Sequence, residues 1–243
     1  MNFVDKNLFI KAVISYISNN QELINPKLFE NRKYNLIITG RPCVGKSTIL
    51  QLISDIFEYY DIKINKYPEY ITYNKTGQKI FEMKMNNEVS AFTFQNYILD
   101  IWETLLNKND FKNNTGINIF ERLPYDAVMC FSKKELENNK MTEEEFDMIY
   151  KRYLKIIDKF EMFDYSKTEK IKIINDDINK TISNILNIII NDIKKGIKYR
   201  CICLDVANNE IYYSRLGIRN RTAEDEYTKN VLDEFKNYYS LNF

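Results

Sequence analysis

The stretch Gly40 to Thr48, GRPCVGKST, constrains this chain more than any other. It follows an apolar run, Tyr34 to Thr39 (YNLIIT), and precedes a segment in which Ile49, Leu50, Leu52, Ile53, Ile56 and Phe57 fall on one helical face. That order is strand, glycine-rich loop, helix, and the spacing Gly40, four residues, Gly45, Lys46, Ser47 is the phosphate-loop pattern. Gly40 and Gly45 let the backbone turn sharply and come close to an anion. Successive N–H groups through Cys43, Val44, Gly45, Lys46, Ser47 and Thr48 then point inward, and the helix that starts near Lys46 adds its positive end. The Lys46 ammonium can reach outer phosphates, and the Ser47 hydroxyl can ligate magnesium. The pattern implies a bound nucleoside triphosphate.

Composition narrows what such a chain can do with it. The 243 residues suit one α/β domain, or one domain with a lid. With 35 basic and 34 acidic residues, the net charge of +1 argues against a broad nucleic-acid surface but not against a small anion site. There is no histidine, which excludes an imidazole base and a His-ligated zinc. The four cysteines, Cys43, Cys130, Cys201 and Cys203, form no CxxC pair and read as reduced intracellular thiols. Cys43, inside the loop, reads as a small filler rather than a redox group. The first residues lack the order of a signal peptide, and no apolar run approaches a membrane span; the nearest, Ile182 to Ile190, is interrupted by Ser183, Asn184 and Asn187. A cytoplasmic protein is expected, in the host cytoplasm if the source is viral.

Along the chain, residues 3 to 18 read as a packing helix. Asp61 to Lys66 (DIKINK) alternates as a second strand, ending at Tyr67-Pro68-Glu69-Tyr70. In a sheet built by crossovers, residues just past strand carboxyl ends face the ligand crevice, which places Glu69 near the loop; an ordinary solvated glutamate is the competing reading. Residues 72 to 88 read as polar and irregular. Phe94, Tyr97, Ile98, Ile101, Trp102 and Leu105 mark a long helix, with Gln95 on the same side as Trp102. A carboxamide beside aromatic side chains suits a planar base, because it can donate and accept along one base edge, although a lone glutamine is more commonly a surface residue. Gly116 to Phe120 is a third strand, ending in Glu121-Arg122. There a carboxylate can hold magnesium, and an arginine can meet phosphate; a surface ion pair is the alternative. Thr142 and Glu145 form a capping box ahead of a helix. Lys170 to Ile174 reads as a strand, Ile178 to Ile193 as a helix, and Arg200 to Val206 as an apolar strand. Arg215, Arg219 and Arg221 follow, close enough to form a clamp over a transferring phosphoryl group.

Together these residues resemble the deoxynucleoside kinase family, and most closely its herpesvirus-type thymidine kinases. GRPCVGKST looks like the family's phosphate loop, YPEYITY (67–73) the segment of its catalytic acid, FTFQNY (92–97) its base-reading helix, ERLPYDAVMCF (121–131) its Glu-Arg motif in the viral form with proline, and RLGIRNRTAE (215–224) its lid. The resemblance implies a P-loop kinase of α/β class, with a central parallel sheet of about five strands flanked by helices and an arginine-bearing lid over about 212–225, all in a single domain spanning 1–243. It implies ATP and Mg2+ as cofactors. Glu69 would be the general base toward a nucleoside 5′-hydroxyl, Gln95 would read the base, Glu121 with Ser47 would serve the metal, and Arg122 would orient the reacting groups. Arg219 and Arg221, with Arg215, would contact phosphates, and Glu224 would hold the sugar 3′-hydroxyl. Ala127 stands where cytidine-preferring relatives would carry an aspartate, and Trp102 where they have an arginine, so thymidine is the expected substrate. A homodimer is the family expectation.

A strand and helix over 165–197 lie before the lid, whereas the family carries such a pair after it. Either they fill the sheet edge out of chain order, or they are an insertion. Phe81 is a candidate to stack on the sugar. Two rival readings share the loop. A thymidylate or other nucleoside monophosphate kinase shares the lid chemistry. A P-loop ATPase or GTPase switch would need a strand-end aspartate for its magnesium, for which Asp205 at the end of CICLD is the candidate.

Overall fold

The computed structural model describes residues 6–19, 24–69, 75–162 and 168–208, together with 210 and 212–214. In chain order the elements are α1 (Lys6–Asn19), β1 (Lys33–Thr39), α2 (Lys46–Tyr59), β2 (Ile64–Tyr67), α3 (Lys75–Met85), α4 (Ala91–Lys108), β3 (Gly116–Glu121), a π-helix (Asp126–Ser132), α5 (Lys133–Glu137), α6 (Glu143–Lys159), β4 (Lys170–Ile174), α7 (Ile178–Lys195) and β5 (Tyr199–Asp205). The chain divides into two compact units, one of Met1–Lys66, Thr115–Glu121 and Glu169–Phe243, the other of Tyr67–Asn114 and Arg122–Thr168.

The first unit is built on the sheet. Its strand order is β2-β3-β1-β5-β4, and the pairings β1–β3, β1–β5 and β4–β5 are parallel. From Tyr34 to Thr39, and from Arg200 to Asp205, every residue of β1 and β5 is buried, as expected of central parallel strands covered on both faces. Asn118 of β3 donates to Asn35 Oδ1 on β1 (2.8 Å) and accepts from Asn65 on β2 (3.0 Å), so three buried or half-buried carboxamides satisfy one another across the ladder. Leu36, Ile38, Ile49, Leu52, Ile53, Ile56, Ile185, Leu186 and Ile189 form the core beneath α2 and α7. Asp177 caps α7 by accepting from the Asn179 and Lys180 amides, and Gly196 ends it in the left-handed conformation. On the same helix, Asp192 binds Arg200 of β5 (2.5 and 2.8 Å) and accepts from the Tyr34 hydroxyl (2.8 Å).

The strand read over 61–66 begins later, at Ile64, because Asp61 takes a left-handed φ of 56° that breaks extension. The segment 170–195 supplies β4 and α7, and β4 forms the sheet edge beside β5, which follows it in the chain.

The second unit is helical. Ser90 caps α4 by accepting from the Thr93 amide, and Thr142 with Glu145 closes the capping box of α6. Arg152 of α6 donates to the Asn96 carbonyl (2.9 Å) and to Glu103 (3.0 Å) on α4. The stretch 72–88, expected to be irregular, contains the α-helix Lys75–Met85; only Gly77 and Phe81 of it are buried, so its amphipathic signal is thin. The seven-residue π-helix was not foreseen either.

Candidate active site

Gly40 follows β1 with φ 131°, and a Cβ there would stand 2.2 Å from the Leu204 carbonyl oxygen on β5. Only glycine lets the loop leave the sheet at that point. Gly45, at φ 96°, is the N-cap of α2 and has no side-chain oxygen to cover the first-turn amides, which face the open end of the helix. Cys43 is also left-handed, at φ 61°, and Val44 between the two is fully buried. Lys46 is 4% exposed and its Nζ donates to the Arg41 carbonyl across the loop (2.9 Å). Ser47, at the exposed start of α2, donates from Oγ to Glu121 Oε1 at the end of β3 (2.8 Å). Glu121 itself is 3% exposed. A hydroxyl and a buried carboxylate side by side at the end of a glycine cradle fit a magnesium ion that takes its other ligands from phosphates and water. Among the described residues no group of three or more His, Cys, Asp or Glu side chains could hold a metal alone.

Two strand ends brace this loop. Arg41 donates to Asp205 Oδ1 from Nε (3.2 Å) and Nη2 (2.6 Å), and its guanidinium lies 4.4 Å from the Tyr212 ring centroid. Lys172 of β4 pairs with the other Asp205 oxygen (3.0 Å). Burial alone would raise the Asp205 carboxyl, but hydrogen bonds from Arg41, Lys172 and the Val206 amide outweigh it and hold the group below its ordinary value. Asn175, just past β4, donates from Nδ2 to the Val44 carbonyl (2.8 Å). Sequence reading missed Arg41 and Asn175, since both acquire their place only from the strand order.

In the second unit, Glu69 and Arg122 are 7% and 8% exposed, and Arg122 Nη1 donates to Glu69 Oε1 in a buried ion pair. The Arg122 guanidinium lies over Phe131, with its carbon 5.1 Å from the ring centroid. Arg122 is left-handed at φ 66°, a conformation costing a non-glycine residue about 1–2 kcal/mol, and the turn behind it is fixed by Asp126 accepting from the Leu123 amide (2.7 Å). Tyr67, two residues before Glu69, has its phenol pushed up to about 12 by burial, so it stays protonated at neutral pH.

Gln95 is 2% exposed, and its Oε1 has no hydrogen-bond partner among the described residues. Trp102 on the same helix is 4% exposed, and Ala127, in the π-helix, is 4% exposed. Phe81 packs on Phe94 with centroids 6.2 Å apart. Arg215, Arg219, Arg221 and Glu224 lie outside the described residues. The four cysteines are unbridged, and no described helix is long and apolar enough to cross a membrane.

Comparison with known proteins adds one match. A family model described as deoxynucleoside kinase covers residues 36–180. No curated protein matches the chain. The matched stretch is more than half of the sequence and runs from β1 into α7, taking in the phosphate loop, Glu69, Gln95 and the Glu121-Arg122 motif. On that match, carried by a five-stranded parallel sheet with the glycine loop at the end of its central strand, the chain belongs to the deoxynucleoside kinase family.

Proposed function

We propose that this deoxynucleoside kinase transfers a phosphoryl group from ATP to the 5′-hydroxyl of thymidine, as a salvage step toward DNA synthesis. Family membership supports the kinase reaction on a nucleoside, with ATP as donor and generally Mg2+. The observation that carries the substrate reading is Gln95. Its buried carboxamide oxygen has no partner among the described residues, and a pyrimidine edge that donates to it would supply one. Ala127 supports thymine over cytosine, since a small apolar residue leaves room for a methyl group and offers no charge to an exocyclic amine. The proline in ERLP supports the likeness to herpesvirus-type thymidine kinases.

When bound, MgATP supplies the electrophilic phosphorus and a metal that neutralises charge on the phosphate oxygens. The chain's own residues do the rest. The Gly45 to Thr48 amides and Lys46 hold the phosphates, and Ser47 and Glu121 hold the metal. Glu69 accepts the proton of the 5′-hydroxyl, and Arg122, paired with it, orients that carboxylate. Arg215, Arg219 and Arg221 balance charge on the phosphoryl in transit, and Glu224 fixes the 3′-hydroxyl. A homodimer acting in the cytoplasm completes the proposal.

Asp205 speaks against the ATPase or GTPase switch. Its two oxygens are taken up by Arg41 and Lys172, whereas the carboxylate beside the Ser47 hydroxyl is Glu121. The test is a coupled assay offering MgATP with each deoxynucleoside and with thymidine monophosphate. Thymidine gives the highest kcat/KM if the proposal holds. A preference for the monophosphate would assign a nucleoside monophosphate kinase, and ATP hydrolysis with no acceptor consumed would assign the switch.

A further inference from the structure

The carbonyl of Val44 and the N–H of Gly45 belong to one trans peptide, in which the two groups point in opposite directions. Whatever holds the carbonyl therefore aims the amide. Asn175 holds it: Nδ2 donates to Val44 O over 2.8 Å. Asn175 is in turn fixed by its own backbone, whose N–H donates to the Asp205 carbonyl (2.7 Å) and extends the β4–β5 ladder by one bond. The side chain is 5% exposed and lies flat against the loop, so that a Cβ on Gly45 would be 2.5 Å from Nδ2. The edge strand also supports the loop through Lys172, Asp205 and Arg41.

We infer that Asn175 is a positioning residue for the donor nucleotide: by fixing the Val44 carbonyl from the end of β4, it directs the Gly45 N–H toward the bound phosphate. The edge strand is thus part of the phosphate site, although Asn175 touches no phosphate itself. An apolar residue at 175 would leave the Val44–Gly45 peptide free to rotate. An aspartate, one atom different, would set a carboxylate against the carbonyl oxygen and drive the peptide away.

This inference rests on the loop being the ATP site, and the experiment separates the two. ATP affinity is measured in the full chain for wild type, Asn175→Ala and Asn175→Asp, together with thymidine KM, the thermal midpoint and the 15N–1H signal of Gly45. The expected result is about a tenfold loss of ATP affinity in both variants. Thymidine KM stays within about twofold, and the Gly45 signal shifts with ATP in wild type but less in the variants. Should Asn175→Ala fail to fold, Asn175→Asp, which keeps the shape, decides alone. Unchanged ATP affinity in the variants overturns the inference and leaves the site assignment standing, and so does a parallel loss of ATP and thymidine affinity with a lowered thermal midpoint. No ATP binding by wild type overturns both.

Discussion

Ser47 Oγ and Glu121 Oε1 lie 2.8 Å apart, so the first turn of α2 and the last residue of β3 are joined by a hydroxyl and a carboxylate that both favour a hard cation. Glu121→Gln keeps the shape and the hydrogen bond but removes the charge. The Mg2+ concentration for half-maximal turnover should rise by roughly 10–100-fold, with thymidine KM little changed. A magnesium titration of initial rates checks this, and an unaltered titration would remove Glu121 from the metal site.

Glu69→Gln should lower kcat by about 10²–10⁴ if Glu69 takes the 5′-hydroxyl proton. It also removes the charge paired with the buried Arg122, so the thermal midpoint should fall as well. ATP affinity, measured directly, should hold near wild type.

Gln95→Leu carries two opposite expectations. It removes a buried acceptor that has no partner among the described residues, so the folded protein should gain stability, by up to about 1–3 kcal/mol. Thymidine KM should nevertheless rise roughly tenfold or more while ATP KM stays. Urea unfolding together with steady-state kinetics reads both, and a stability loss without a KM change would assign Gln95 to packing.

Arg219→Ala or Arg221→Ala should reduce turnover far more than nucleoside binding, by as much as about 10³–10⁵ for an arginine serving the transition state. Equal loss of both quantities would count against the clamp.

Asp205 gives a pH dependence with a definite sign. Its carboxyl titrates lower in the folded protein than its ordinary 3.8, so it contributes stability above that value and loses it as pH falls through the folded value. Stability should decline below 3.8, and Asp205→Asn should be less stable at neutral pH but show a shallower decline in acid. Urea midpoints near pH 7 and about pH 3 test this.

The buried strands were readable because short, mostly apolar runs, YNLIIT and RCICLD, have few other uses in a chain of this length. The loop was readable because its glycine spacing is a backbone requirement written in residue type. Lys75–Met85 was not, since a helix burying only Gly77 and Phe81 carries little periodic signal. The π-helix around Ala127 was not, because one extra residue per turn leaves no pattern in composition. Nor was Asn175: an asparagine after a short strand is ordinary until strand order sets it beside Val44.

The strand that completes the sheet between β1 and β4 is also the last of the five to be synthesised. Until residues 199–205 emerge, β2-β3-β1 forms one ladder and β4 has nothing to pair with. Gly40 sits against Leu204, and Arg41 binds Asp205, so the phosphate loop takes its shape from this late arrival. A nascent chain halted short of β5 would carry every residue of GRPCVGKST and still lack the wall against which the loop is formed, which makes nucleotide affinity a property of the finished sheet rather than of the motif.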